Sequence, residues 1–139
     1  MDTEELAYTV IGCAMDVYQK LGAGLLESVY QRALMIEIDK ACLLAEEEVP
    51  INVLYEGQDL GMGFRMDIVV EDTIVLELKS VSQLEKVHFK QLQTYLRLAN
   101  KPFGYLINFN TDKFTIGNSI HRVTNNDYSL SSEDLSSKE

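Results

Sequence analysis

Apolar residues at Leu6, Val10, Cys13, Ala14, Val17 and Leu21 recur every three or four positions, the period of a helix that buries one stripe. The spacing predicts a helix over residues 3–20, ended where Gly22 and Gly24 relax the backbone. A second helix is expected from about residue 26 to 42, with Val29, Ala33, Ile36 and Leu43 or Leu44 marking its buried side. Residues 46–55 turn to a strand-like composition, and Pro50 makes that strand an edge strand or irregular at its start. Glu56-Gly57 reads as a turn, and Gly61 and Gly63 as a bend or bulge before the next strand.

The clearest pattern lies at residues 64–80, where two β-branched runs flank Glu71-Asp72-Thr73 and read as a hairpin. The even positions Met66, Ile68, Val70, Ile74, Leu76 and Leu78 are all apolar; the odd positions hold Asp67, Val69, Val75, Glu77 and Lys79. Side chains alternate between faces, so one face is expected to be wholly core and the other to carry a polar cluster at its end. A register slip would mix those faces. A three-residue loop at 71–73 avoids this and sets Asp67 directly across from Glu77. A third helix is expected over residues 84–100, ended by Pro102, and residues 103–109 and 113–120 read as two further strands joined at 110–112. From Tyr128 the chain is rich in Ser and acid, so a single domain over 1–127 with a disordered tail over 128–139 is expected. The order of elements suggests an α/β (α+β) domain, one sheet with helices packed on it.

A chain of 139 residues suits one domain with one core. Its apolar fraction of 46% and charged fraction of 24% are those of a soluble globular protein. No run approaches the ~20 apolar residues of a membrane span. The N-terminus, Met1-Asp-Thr-Glu-Glu, is acidic where a secretory signal would be positive, so none is expected. Cys13 and Cys42 lie in apolar helical patterns at no metal-binding or disulfide-framework spacing and read as buried, reduced thiols; a cytoplasmic protein is expected. The net charge of −10 repels nucleic acid at long range, so a nucleic-acid role needs a local arrangement that overrides it.

Asp67, Glu77 and Lys79 are the first candidates for such an arrangement. Two carboxylates side by side repel unless one is protonated or a cation lies between them. Hard oxygens in a half-open site suit Mg²⁺ or Mn²⁺, and a lysine on the same face could orient an attacking water or stabilise developing phosphorane charge. The plainer reading is a solvated strand face with Lys79 in a cross-strand ion pair. On the third helix, His88, Gln91 and Tyr95 fall within about 60° of one another beside Leu84, Leu92 and Ala99, which places three polar tips on its buried face. Lys86, Lys90, Arg97 and Lys101 form a separate basic stripe, read either as a solvated face or as a contact for phosphate.

Taken together these residues carry a resemblance. Asp67 followed by Glu77-Leu-Lys79 resembles the bipartite signature of the PD-(D/E)XK nuclease superfamily, and Gln91-Leu-Gln-Thr-Tyr95 resembles the Gln-x-x-x-Tyr motif of its exonuclease branch. Gly24-Leu-Leu-Glu27-Ser-Val-Tyr30 matches the pattern that names the GxxExxY family within it. Met66 stands where the name-giving proline would be, a position that carries no chemistry. The resemblance implies a restriction-endonuclease-like core, one mixed sheet flanked by helices. It implies Asp67 and Glu77 as metal ligands, the Leu78 carbonyl as a further one, Lys79 assisting the nucleophilic water and Glu27 approaching the metal from the other side. Gln91 and Tyr95 would support the site or touch substrate phosphate. For Glu27 the plainer alternative is a glutamate stabilised by its helix dipole; for Tyr95 and His88 it is packing between helix and sheet, and Tyr30 is expected to pack rather than react. The implied activity is Mg²⁺- or Mn²⁺-dependent hydrolysis of DNA or RNA, with the basic stripe or a second protomer of a homo-oligomer supplying attraction. The alternative is a catalytically silent fold that binds nucleic acid or protein as a regulatory module.

Overall fold

A computed structural model describes residues 1–129. Helix α1 (Thr3–Leu21) is started by Asp2, whose carboxylate accepts the Glu5 N–H at 2.8 Å while Glu5 reaches back to the Asp2 N–H. This reciprocal box satisfies two amides that a helix start leaves without partners. The helix ends at Gly22, where φ is +70, a conformation that strains any residue with a Cβ. The expected stripe is buried, except that Leu21, at the frayed end, is 40% exposed.

Helix α2 (Glu27–Lys40) departs from expectation. It buries Tyr30, Leu34 and Ile38, while Val29 and Ile36 face solvent, and Leu43 rather than Leu44 enters the core. Cys42, expected to be buried, is exposed, because the helix ends at Lys40 and Cys42 lies in the turn beyond it at φ +61. The helix carries two apolar stripes about 100° apart, and the one with larger side chains fills the layer beneath α1.

Five strands follow: β1 (Ala45–Tyr55), β2 (Gln58–Val70), β3 (Ile74–Lys79), β4 (Phe103–Asn108) and β5 (Ile120–Thr124). They form one mixed sheet in the order β1-β2-β3-β4-β5, antiparallel throughout except for the parallel β3–β4 pair. Parallel neighbours need a crossover, and α3 (Lys86–Ala99) supplies it. Helices α1 and α2 pack on one face against Ile68, Val70, Ile74, Leu76 and Leu78. Helix α3 packs on the other against Val69, Val75, Leu106 and Val123. The fold expected from the sequence is therefore the fold observed.

The β2–β3 hairpin has the expected register, Ile68 across from Leu76 and Val70 across from Ile74. Its even-numbered face is not uniform, however, because Met66 packs in the α3-side cluster with Val69 and Val75. The β1–β2 pairing passes from Glu47–Ile68 to Val49–Met66 without pairing Glu48 and Asp67, and Glu48 has φ +53. The strict alternation breaks between Met66 and Ile68, beside these two unpaired residues, while the register shifts of the β1–β2 pair lie further along, at Ile51–Asn52 and Asn52–Leu54, opposite Gly63 and Gly61. Gly61 lies inside β2, at φ +95, rather than before it.

The last strand is displaced from its expected span of 113–120: it runs over Ile120–Thr124, sharing only Ile120 with it. Residues 113–119 form a turn, and pairing begins at Ile120. Phe114 stacks between Tyr18 and Phe109, at centroid distances of 4.7 and 5.1 Å, and the buried Ser119 hydroxyl donates to the Lys113 carbonyl and accepts from the Thr115 N–H. Side-chain anchoring thus replaces a ladder there. At the C-terminal side, Ser129 exchanges two hydrogen bonds with Asn100; the segment from residue 130, expected as a tail, lies outside the described residues. Among the described residues, no helix is long and apolar enough to cross a membrane.

Candidate active site

The β2–β3 ladder stops at Ile68–Leu76, and the next residues across the gap are Asp67 and Glu77. Two side chains take over from the backbone there. An Asp67 carboxylate oxygen accepts the Leu78 N–H at 2.8 Å, and a Glu77 carboxylate oxygen accepts the Asp67 N–H at 3.1 Å. Each carboxylate is thereby anchored to the other's strand. Glu77 is buried and Asp67 half-buried. Burial pushes the Glu77 carboxyl up to about 8, helped by the field of Asp67 and opposed by the Asp67 N–H and by Lys79. Asp67 is also raised, first by burial and then by Glu48 and Glu27, against the lowering effect of the Leu78 N–H and Lys79. Lys79, two residues beyond Glu77 on β3, shares its face. The Leu78 N–H points toward Asp67, and the carbonyl of the same strand residue points to the same side, where β2 no longer pairs with β3.

Glu27 reaches this site from the opposite layer. Its carboxylate accepts the Ser80 N–H at 3.4 Å, and the Ser80 hydroxyl donates to the Leu25 carbonyl at 2.6 Å. Tyr30 fixes the approach. Its fully buried ring stacks on Phe109 at 4.4 Å, while its hydroxyl donates to the Gly22 carbonyl at 2.6 Å and accepts the Leu25 N–H at 3.1 Å. Gly24, with φ +95, lets the chain turn tightly enough for that clasp. The Gly-x-x-Glu-x-x-Tyr spacing is thus a turn, an acid at the first helical position and a core anchor one turn later. An open hollow of about 360 Å³, lined by Leu25, Leu26, Glu27, Ser28 and Ser80, lies on this side.

Two further residues belong to the neighbourhood. Glu48, at the β1 irregularity, acts on Asp67 through its charge and accepts a hydrogen bond from the Gln31 amide at 2.9 Å. The acid run 46–48 signals an acidic segment, but no periodicity tells which of its members acts on Asp67. Gln31 lies one helical turn beyond Glu27, the only sequence clue to it.

On α3, Tyr95 is buried against Phe64, at 5.2 Å between rings, and its hydroxyl is raised by burial and by the charges of Glu77 and Asp67. Gln91 is half-buried one turn before it. His88 differs from the expected buried polar tip: its Nδ1 accepts the Glu85 N–H at 2.9 Å, so it caps its own helix. Lys86, Lys90 and Arg97 are exposed and make no ion pair among the described residues. Lys101 leaves the stripe. Asn100 adopts the left-handed conformation and ends the helix, so the 100° step no longer applies, and Lys101 instead binds the Asp72 carboxylate at 2.6 Å at the tip of the β2–β3 hairpin.

Among the described residues, no three acids, histidines or cysteines are gathered as a closed metal cage. The donor set nevertheless fits a hard divalent cation. Two carboxyl groups are held side by side, each tied to the backbone of the opposite strand through one oxygen, and without a cation burial and the Asp67 field keep Glu77 protonated to about pH 8. Such a cation takes few protein ligands and retains waters.

A mixed sheet with paired carboxylates where an antiparallel hairpin opens, and a lysine two residues further on, defines a restriction-endonuclease-like α/β domain. The chain belongs to the PD-(D/E)XK nuclease superfamily, whose model matches residues 4–123. Nucleases of this superfamily generally use divalent metal ions. Among curated proteins, none matches the chain.

Proposed function

We propose that the protein is a metal-dependent nuclease of the GxxExxY branch, hydrolysing phosphodiester bonds in DNA or RNA in the cytoplasm. The observation that carries this reading is the reciprocal Asp67–Glu77 clasp, which keeps two carboxyl groups adjacent although burial and their mutual field oppose ionising both. Asp67, Glu77 and the Leu78 carbonyl would hold Mg²⁺ or Mn²⁺, with Glu27 facing them from α2. Once bound, the cation supplies Lewis-acid activation of water and offsets negative charge on the scissile phosphate. The Lys79 ammonium orients the attacking water and stabilises charge as it develops on the phosphate. Glu27 accepts a hydrogen bond from that water, and the Tyr95 hydroxyl and Gln91 amide brace the site from the α3 side. Lys86, Lys90 and Arg97 bind flanking phosphates, a local attraction that works against the net charge of −10.

That same charge supports a second reading, a silent nuclease-like fold that binds rather than cuts. Cleavage of single- and double-stranded DNA and RNA, measured with Mg²⁺ and with Mn²⁺, separates the two. Lys79→Ala is expected to reduce cleavage by at least about 100-fold, the scale of a positioned proton-transfer or charge-stabilising group, with little change in substrate binding. Absence of cleavage by the wild-type protein with either ion sinks the hydrolase.

A further inference from the structure

At the carboxyl ends of β3 and β4, beside the site but outside it, lies a hollow of about 310 Å³ lined among others by Ser82, Gln83, Phe89, Asn108, Asn118 and His121. Its place in the fold is informative. Lys79 and Asn108 are register partners on adjacent strands, and Leu106 and His121 are partners on the next pair. Register partners project to the same face, so Asn108 stands beside Lys79 on the α3 side, and His121 lies on that face one row back, with Leu106 and Glu77. Asn108 is buried and rigid: its amide oxygen accepts the Val81 and Asn110 N–H groups, and its amide nitrogen donates to the Val81 carbonyl. The segment 79–83 therefore begins at the candidate active site and ends at the rim of the hollow.

The lining combines two aromatic rings with amide chemistry. Phe89 and His121 meet edge to face, 5.3 Å apart at 77°, which makes a walled corner. His121 Nε2 lies 3.2 Å from the Asn118 carbonyl; a carbonyl can only accept, so Nε2 is the donor of that bond. The Gln83 carboxamide is exposed and makes no hydrogen bond among the described residues. The volume is at the lower end of the roughly 300–1,000 Å³ of small-molecule sites, enough for one flat heterocycle. An unstacked base is recognised by such a set: a ring against its face, and amides on its edge.

We propose that this hollow receives the base of a nucleotide flanking the scissile phosphate, so that the substrate is a single strand or a frayed end rather than a closed duplex. The inference rests on the hydrolase reading for the identity of its ligand, but it concerns binding and is tested without cleavage. A base in a paired, stacked duplex cannot enter a pocket of this kind without being extruded.

The probes are fluorescein-labelled DNA and RNA oligonucleotides, single-stranded, blunt duplex, and single-stranded with one abasic position near the end. They are titrated into the full chain carrying Lys79→Ala, in Mg²⁺. The single strands are expected to bind more tightly than the blunt duplex. Phe89→Leu, which keeps an apolar filler but removes the ring, and Gln83→Ala, on an exposed loop, are each expected to weaken single-strand binding, Phe89→Leu by roughly tenfold. Neither should matter for the abasic strand, because the base they would touch is gone. Equal binding of normal and abasic strands, an unchanged affinity in both variants, or no binding of single strands overturns the pocket. The hydrolase is judged separately by cleavage, so base-dependent binding with no cleavage would leave the pocket standing and remove the enzyme.

Discussion

Glu77 holds a proton to about pH 8 because burial and the neighbouring Asp67 both oppose its charge. The direction of the resulting linkage follows. Below its ordinary value of 4.5 the group is protonated whether the chain is folded or not. Between 4.5 and about 8 the unfolded chain releases the proton while the native one retains it, so the native state binds more protons and stability falls as pH rises. Above about 8 the loss is complete. The metal-free protein, kept in chelator, is therefore expected to melt at progressively lower temperature across that window, and Glu77→Gln to flatten the slope. A melting temperature that rises with pH through this range in wild type, or a slope unchanged in Glu77→Gln, would show that Glu77 is ionised in the native state. Residues such as Asp67, Glu77 and Lys79 are legible in sequence because a strand's two-residue period states which side chains share a face. Glu48 is not, since its orientation depends on a local φ of +53 that no periodic rule encodes.

Helix α3 presents different groups on different sides, and its sides can be tested separately. Tyr95 and Leu92 are buried toward the sheet, whereas Lys86 and Lys90 are exposed. Replacing Lys86 and Lys90 together by Gln is expected to weaken binding to nucleic acid. It should also reduce the slope of log affinity against log salt by about two at most, one for each phosphate that is no longer neutralised. Binding in which both affinity and slope are unchanged would return the stripe to a solvated face. Lys101, which periodicity adds to this stripe, is excluded from it by the break at Asn100 and serves the hairpin tip instead. The same limit holds for α2. Its two apolar stripes satisfy a helical period equally well, and only the packing partners under α1, absent from a one-dimensional pattern, select Tyr30, Leu34 and Ile38. Residues 113–119 alternate well enough to read as a strand, yet Phe114 and Ser119 use their side chains to hold a turn.

At the level of the whole domain, the layer order and the mixed sheet follow from two facts available in sequence: a helix between two apolar strands forces a parallel crossover, and short loops force antiparallel neighbours. What links the layers is less accessible. Glu27 comes from one face of the sheet, and Tyr95 from the other, and both meet the strand pair only where the β2–β3 ladder ends. The molecule thus gathers negative charge at a point where all three layers converge. A divalent ion that binds the native state alone should stabilise the entire domain by mass action. At saturating Mg²⁺ or Mn²⁺ the melting temperature is expected to rise by several degrees, on the order of 3 kcal/mol at one hundred times Kd. Asp67→Asn should abolish that rise; in chelator above about pH 8, where Glu77 is ionised as well, it should leave the protein as stable as wild type or more so, because one of two repelling charges is gone. A thermal response that persists in Asp67→Asn would place the ion elsewhere in the molecule.

If the proposed cation sits between Asp67 and Glu77, their clasp bears on discrimination among ions. Because each carboxylate is pinned to a main-chain N–H of the opposite strand, the gap between them is set by the covalent frame of β2 and β3 rather than by freely turning side chains. Widening it means stretching both hydrogen bonds at once. Mg²⁺ sits about 2.0–2.1 Å from its oxygens and Ca²⁺ about 2.3–2.6 Å, with more ligands and looser geometry. On the proposed metal reading, a mouth that resists opening would favour the smaller, octahedral ion over Ca²⁺.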